Sequence, residues 1–348
     1  MALLRSILLL AVLACGLAAC TTADLDRRGM QPIPAKLVAD MRQKGMKPSD
    51  PIMIRIYKQE SELEIWKRDR SGSYALLKTY PICRWSGKLG PKKQQGDRQA
   101  PEGFYAITMQ LLNPQSQFYL SFNLGYPNKL EEALGYEGAA LMVHGACSSS
   151  GCYALTDAGV AEIYAVARDA LIGGQTSFQV QSLPFRMTPR NLAAHRDDPN
   201  MNFWLNLKQG SDQFDVTRQP PRVEACNGRY VFSSKPFDGA ASFDPLGPCP
   251  AIDTDPAVAA HVAAKEAKDN AAVAALEAST PAFSLAYSDG GMNEAFREIL
   301  KSAGPEKLSR MTSAGYPVSR PAAALADPYQ PAGIDPMQTA TTTVAGQN

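Results

Sequence analysis

The chain has 348 residues, of which 45% are apolar, enough for one sizeable core or two modest ones, and this excludes disorder along its whole length. Lys and Arg number 35 against 34 Asp and Glu, so no net basic field is available to hold nucleic acid at long range. Nucleic-acid binding is not expected.

The first residues, MALLRSILLLAVLACGLAAC, place a single Arg5 before an apolar run from Ser6 to Leu17 and small residues up to Cys20. The run is too short for a membrane span and has the plan of a secretory signal. Leu17-Ala18-Ala19-Cys20 resembles the lipobox of bacterial lipoproteins, which implies loss of residues 1–19, lipidation of Cys20 and attachment to a membrane through that lipid. With Thr21 and Thr22 following, the expected location is the periplasm, at the outer membrane. Residues 20–50 are polar with scattered Pro and read as a tether.

An exported chain lives where disulfides persist. Past Cys20 five cysteines remain, Cys83, Cys147, Cys152, Cys226 and Cys249, and the odd number leaves at least one thiol unpaired. Cys226 and Cys249, in a turn-rich segment, are expected to form a bridge. Cys83 reads as a core residue and Cys147 as an incidental small one.

From residue 51 the pattern is one of short strands. Ile52 to Lys58 and Glu62 to Arg68 alternate apolar and polar residues and read as a hairpin; Tyr74 to Cys83, Gly103 to Met109, Gln117 to Leu124 and Ala139 to His144 continue the series. Their spacing points to an antiparallel sheet or sandwich. A helix follows, capped by Thr156 or Asp157, with Val160, Ile163, Tyr164, Ala167 and Leu171 on one face and Gly173-Gly174 at its end. Phe178 to Phe185 reads as a returning strand, and Pro199 to Gln209 as a short helix with Phe203, Trp204 and Leu207 inward. Asp255 to Ser279 is an Ala-rich, peripheral helix that buries little. Beyond Thr280 the Ala, Pro, Thr and Gln content predicts a disordered tail.

The stretch ALMVHGACSSSGCYALTD, residues 140–157, carries the chemistry. A cysteine nucleophile needs a base, a group that orients the base, and N–H donors for a developing oxyanion. His144 ends a strand and is held by the sheet. Cys152 approaches a helix start, whose N–H groups lower a thiol's pKa. Ser150, Gly151 and Cys152 offer consecutive amides as an oxyanion hole. The chain has three histidines; His195 lies in a polar loop and His261 on the Ala-rich helix, so His144 is the candidate base. No Cys/His spacing suits a metal site, and the chemistry needs no cofactor.

HGACSSSGC resembles the signature of the YkuD-type L,D-transpeptidases, and SGKLGP (86–91) with QAPEGFYAI (99–107) resembles their upstream motifs. YPICRWSGKLGP, LSFNLGYPN and MVHGACSSSGCYALTD are similar to the YafK-like branch, as are PFRMT and FWLNLKQG. The similarity spans roughly residues 51–232. It implies a fold that is mainly β with peripheral helices, a YkuD-like β-sandwich or β-sheet catalytic domain over 51–187, an extension over 188–250 packed on it, and an Ala-rich helical and disordered C-terminal extension over 251–348. It implies Cys152 as nucleophile, His144 as base and the Gly145 carbonyl as the group orienting the imidazole. The chain departs from most members in having Ser150 where a second histidine is common, Cys152 only eight positions after His144, shorter than the commoner pattern, and Ala154 two positions after the cysteine.

The implied partners are peptidoglycan stem peptides, acylating Cys152 through diaminopimelate, and an amine acceptor, either stem diaminopimelate or a lipoprotein lysine. Transpeptidation is the leading expectation. The alternatives are a hydrolase that releases wall-linked lipoprotein or trims stems, and a non-catalytic wall-binding lipoprotein. Lys88, Asn123, Tyr126 and Ser149 are candidate substrate-binding residues, with Lys92, Lys93 and Asn128 beside them.

Overall fold

The computed structural model describes residues 27–235, 243–282, 286–287, 289–312 and 320–330. The signal, the lipidation at Cys20 and the end of the tail lie outside these residues. In chain order the elements are α1 (Ala35–Gln43), β1 (Ile52–Tyr57), β2 (Glu62–Arg68), β3 (Tyr74–Pro81), β4 (Arg84–Trp85), β5 (Gly103–Ile107), β6 (Leu112–Asn113) and β7 (Ser121–Asn123). They continue as α2 (Lys129–Ala133), β8 (Met142–His144), β9 (Tyr153–Ala154), α3 (Asp157–Ile172), β10 (Phe178–Leu183), α4 (Pro189–Ala194), α5 (Met201–Thr217), β11 (Arg222–Cys226) and β12 (Arg229–Ser233). Last come α6 (Pro256–Glu277), β13 (Ala286–Tyr287), α7 (Glu294–Thr312, broken at Gly304), α8 (Pro321–Ala324) and β14 (Tyr329–Gln330).

Branched residues at 52, 54 and 56, with Leu63 and Ile65 opposite, put one apolar face on the β1–β2 hairpin, and the register sets Ile54 against Ile65 and Ile56 against Leu63. This hairpin belongs to a five-stranded sheet of order β3-β2-β1-β10-β5; a second runs β4-β9-β8-β7-β6. Neither sheet is purely antiparallel as expected, because β1 pairs with β10 and β8 with β9 in parallel. The fold is therefore two mixed sheets with several helices. The physical cause is α3, which carries the chain from β9 to β10 and lets β10 enter beside β1 in the same direction.

The two sheets and α3 share one core: Ile54 and Ile56 meet Phe122, Val143, Tyr153, Val160 and Ile163. Thr156 caps α3, its hydroxyl accepting the Gly159 N–H at 3.0 Å, and Gly173 ends it, as the sequence predicts. The outer face of β1 is buried too, because α5 covers it. There the Arg55 guanidinium bonds Gln181 (2.9 Å), Asp215 (2.8 Å) and the Ser211 carbonyl (2.9 Å). Helix α5 is longer than expected and buries Trp204 and Leu207, while Phe203 stays half-buried. The Ala-rich α6 is fixed to α5 by charge rather than by its alanines: Asp269 binds Lys208 and Lys265, each at 2.7 Å.

Three expectations are corrected. Residues 27–50 are not simply a tether, since Ile33, just before α1, and Leu37 and Met41 on α1 recur every four residues and enter the main core. The chain after Thr280 is not wholly disordered, since Met292, Phe296 and Leu308 pack on Cys83 and Cys147. Those two cysteines are themselves bridged, so Cys147 is not incidental. The expected Cys226–Cys249 bridge is present, and Cys152 is the free cysteine among the described residues.

Candidate active site

Strand β8 ends at His144 and β9, parallel to it, begins at Tyr153, so residues 145–152 must run back along β8 before the chain pairs again. So short a return needs left-handed backbone, with φ of 58° at Ala146, 40° at Cys147 and 130° at Gly151. Only Gly151 adopts this freely. Ala146 is held by its N–H to Asp157 Oδ1 at 2.8 Å, and Cys147 by its N–H to the Leu155 carbonyl at 3.3 Å and by the bridge to Cys83. A side chain at Gly145 has no room, because a Cβ there stands 2.6 Å from Asp157 Oδ1.

The return sets Cys152 beside Met142, whose N–H reaches the sulfur at 3.4 Å, while the thiol points to the Ala140 carbonyl at 3.7 Å. Val143 pairs with Tyr153 and both are buried in the core. His144 pairs with Ala154, and Cys152 stands two residues before that partner, in the bend that leads into β9. Among the described residues the sulfur's hydrogen-bond partners are Met142 and Ala140, and the imidazole is not one of them. The thiol is turned to the backbone of Met142 and Ala140, so contact with the imidazole requires rotation of the Cys152 side chain.

His144 is buried under the Phe118 ring, centroids 4.9 Å apart, with Nδ1 2.6 Å from the Gly145 carbonyl. A carbonyl accepts only, so Nδ1 carries the hydrogen and Nε2 keeps its lone pair. Loss of water pushes the imidazole down to about 4, against the opposing pull of the Gly145 carbonyl, and the ring is neutral near pH 7. Burial also pushes the Cys152 thiol above its ordinary 9.0, opposed by the Met142 N–H and the Lys92 ammonium. The expected lowering by a helix start does not occur, because β9 separates Cys152 from α3.

At rest the pair is thus thiol and neutral imidazole. The alkylation rate of Cys152 by iodoacetamide is accordingly expected to rise with pH through pH 9. A plateau below pH 8, the mark of a preformed thiolate, overturns this.

The proposed oxyanion amides are partly occupied. Ser149 Oγ accepts the N–H of Cys152 at 3.0 Å and of Gly151 at 3.3 Å, donates to the Cys152 carbonyl at 2.7 Å, and lies 2.9 Å from Ser86 Oγ. Ser149 therefore shapes the turn, and a substrate oxyanion has to displace its hydroxyl from two of the three amides; Ser150 is exposed. Of the other candidates, Tyr126 is buried and its hydroxyl donates to the Lys92 carbonyl at 3.0 Å. Asn123 accepts the Gly125 N–H at 2.9 Å and Asn128 caps α2, so both serve the local chain. The Lys92 ammonium is buried against Asp97 and the Gln94 carbonyl, while Lys88 and Lys93 stay exposed on the same loop. His195 stacks on Phe185 at 4.5 Å and meets Gln59 Oε1 at 2.7 Å, and His261 is exposed.

A fully buried pair was not foreseen from the sequence. Lys58 Nζ lies 3.0 Å from Glu102 Oε1 and donates to the carbonyls of Ala100 (2.9 Å) and Gly90 (3.1 Å). Glu102 in turn accepts from Gly90 N and Trp204 Nε1, each at 2.8 Å. The pair pins residues 86–102 beside the Cys152 turn, where Ser86 Oγ also donates to the Arg98 carbonyl at 2.8 Å. A signal was present: Lys58 continues the inward phase of residues 52, 54 and 56.

No family model matches the chain. It is 46% identical over 183 residues, 53% of its own length and 74% of the relative's, to the protein named "Putative L,D-transpeptidase YafK" in Escherichia coli K12, with the same figures for strain O157:H7. Among solved structures, the helical cell shape determining protein Pgp2 of Campylobacter jejuni aligns with a TM-score of 0.32 and 17% identity over 56% of this chain and 80% of that one. Bd1075 of Bdellovibrio bacteriovorus aligns with a TM-score of 0.29 and 13% identity over 50% of this chain and 76% of that one. At such TM-scores these two likenesses support no conclusion about this chain.

Proposed function

Since the chain belongs to the YafK-like branch of the YkuD-type L,D-transpeptidases, we propose that it acts on peptidoglycan stem peptides in the periplasm through a thioester on Cys152. The single observation that supports this reading is a free Cys152 on the same short return, 145–152, as a buried, neutral His144 whose Nδ1 meets the Gly145 carbonyl and whose Nε2 keeps its lone pair. After rotation of its side chain, Cys152 passes its proton to His144 Nε2 and the sulfur attacks the carbonyl at the L-centre of diaminopimelate. The C–N bond to the following residue breaks, the leaving amine takes the proton from the imidazolium, and the acyl group remains on sulfur. An amine acceptor, stem diaminopimelate or a lipoprotein lysine, then attacks the thioester, giving a new amide and restoring the thiol. Water in place of the amine gives hydrolysis from the same intermediate.

The exposed Lys88 near the turn is a candidate contact for substrate carboxylate, and the lipid on Cys20 would hold the enzyme at the outer membrane facing the wall. The test is incubation of the full-length protein with muropeptides bearing tetrapeptide stems, with and without an amine acceptor, and mass mapping of the adduct. A thioester on Cys152 with cross-linked products supports transpeptidation, and the same thioester with trimmed stems only assigns hydrolysis. Absence of any adduct on Cys152 sinks both and leaves a wall-binding protein.

A further inference from the structure

We infer that Arg320, on the C-terminal segment, is a positioning residue for the Cys152 turn; the inference rests on the proposed thioester chemistry. Its backbone N–H donates to Ser148 Oγ at 2.9 Å and its Nη1 to the Ser149 carbonyl at 3.4 Å. Its Nη2 pairs with Asp289 at 2.5 Å, and Asp289 also lies 3.7 Å from Arg98 Nη2. The Arg98 carbonyl accepts the Ser86 hydroxyl, which touches Ser149 Oγ, which holds the Cys152 N–H. Asp289, Arg320, Ser149, Ser86 and Arg98 thus close a ring around the turn that presents the nucleophile.

The segment does not depend on Arg320 to stay in place. Gly291 and Trp85 exchange backbone hydrogen bonds at 3.1 Å in both directions, and Met292 and Phe296 pack on the Cys83–Cys147 bridge. Arg84 reaches the carbonyls of Ala323 and Ala326, the latter at 2.6 Å. Arg320 and Asp289 are themselves partly exposed, and such a pair contributes little to global stability. Its effect is local: it fixes the Ser149 carbonyl from outside while the Ser149 hydroxyl fixes Cys152 from inside. A residue far from the reacting bond can matter in this way, because a displacement of about 1 Å costs on the order of a hundredfold in rate.

The experiment compares full-length wild type, Arg320→Ala, Arg320→Lys and Asp289→Asn in thioester formation on a tetrapeptide-stem muropeptide, in iodoacetamide alkylation of Cys152 and in thermal melting. Arg320→Ala is expected to lower kcat roughly tenfold or more, with KM and melting temperature little changed, and Arg320→Lys to recover part of the loss. A kcat within about twofold of wild type, or a loss that tracks a fall in melting temperature across the three variants, overturns the assignment. If wild type itself forms no thioester, the proposed function fails and alkylation alone decides: a changed rate in Arg320→Ala supports positioning, and an unchanged one overturns it.

Discussion

Replacement of Cys152 by alanine is expected to lower turnover on stem peptides by at least about a thousandfold while the fold stays intact. The argument is structural on both sides. The Cys152 sulfur has two backbone partners, the Met142 N–H and the Ala140 carbonyl, and the turn around it is held by Ser149 and the Cys83–Cys147 bridge rather than by the thiol. Alanine therefore removes the proposed nucleophile and leaves the scaffold. Serine at 152 is expected to fail nearly as badly, since a buried neutral imidazole already pushed down to about 4 is a weak base for a hydroxyl. The assay is product formation from muropeptides beside a thermal melt, and a serine variant with full turnover would falsify the assignment.

The second large effect is expected on stability. Lys58→Met leaves Glu102 buried without its cation, a loss of about 3–5 kcal/mol, and the melting temperature should fall by roughly 10 °C. Lys58 and Glu102 are both 0% exposed, so neither charge can turn to water when the other is removed. The double variant Lys58→Met/Glu102→Gln is expected to regain more than half of the loss, because the amide still offers an acceptor to Gly90 N or Trp204 Nε1 without a stranded charge. Urea melts of the three proteins check this. A single variant within about 1 kcal/mol of wild type would show that the carboxylate finds another partner.

Local pattern carried far in this chain and stopped where distant elements decide. The β1–β2 hairpin, the Thr156 cap and the return of Phe178–Leu183 follow from alternation and capping chemistry within a few residues. The contact of His144 with the Gly145 carbonyl, which the family resemblance implied, is present at 2.6 Å, and Cys152 is the free cysteine among the described residues. What alternation hid was the second face: Arg55 looks solvent-facing in IMIRIYK, yet α5, far along the chain, buries it. The Cys83–Cys147 bridge was hidden for the same reason, since 64 residues separate its ends and only the fold brings them together. The occupation of the Gly151 and Cys152 amides by Ser149 depends on backbone angles no composition reveals. Residues 27–50 misled by their prolines, although apolar residues at 33, 37 and 41 already marked a buried stripe.

The Cys83–Cys147 bridge bears on the fate of Cys152 during oxidation of the chain. Cys83, Cys147 and Cys152 allow three ways to join two sulfurs, and two of them consume the proposed nucleophile. Only the union of 83 with 147 leaves 152 at liberty, and the same union ties down the turn from which 152 projects. A single choice of partner during oxidation thus both shapes the turn and keeps the proposed reactive thiol free.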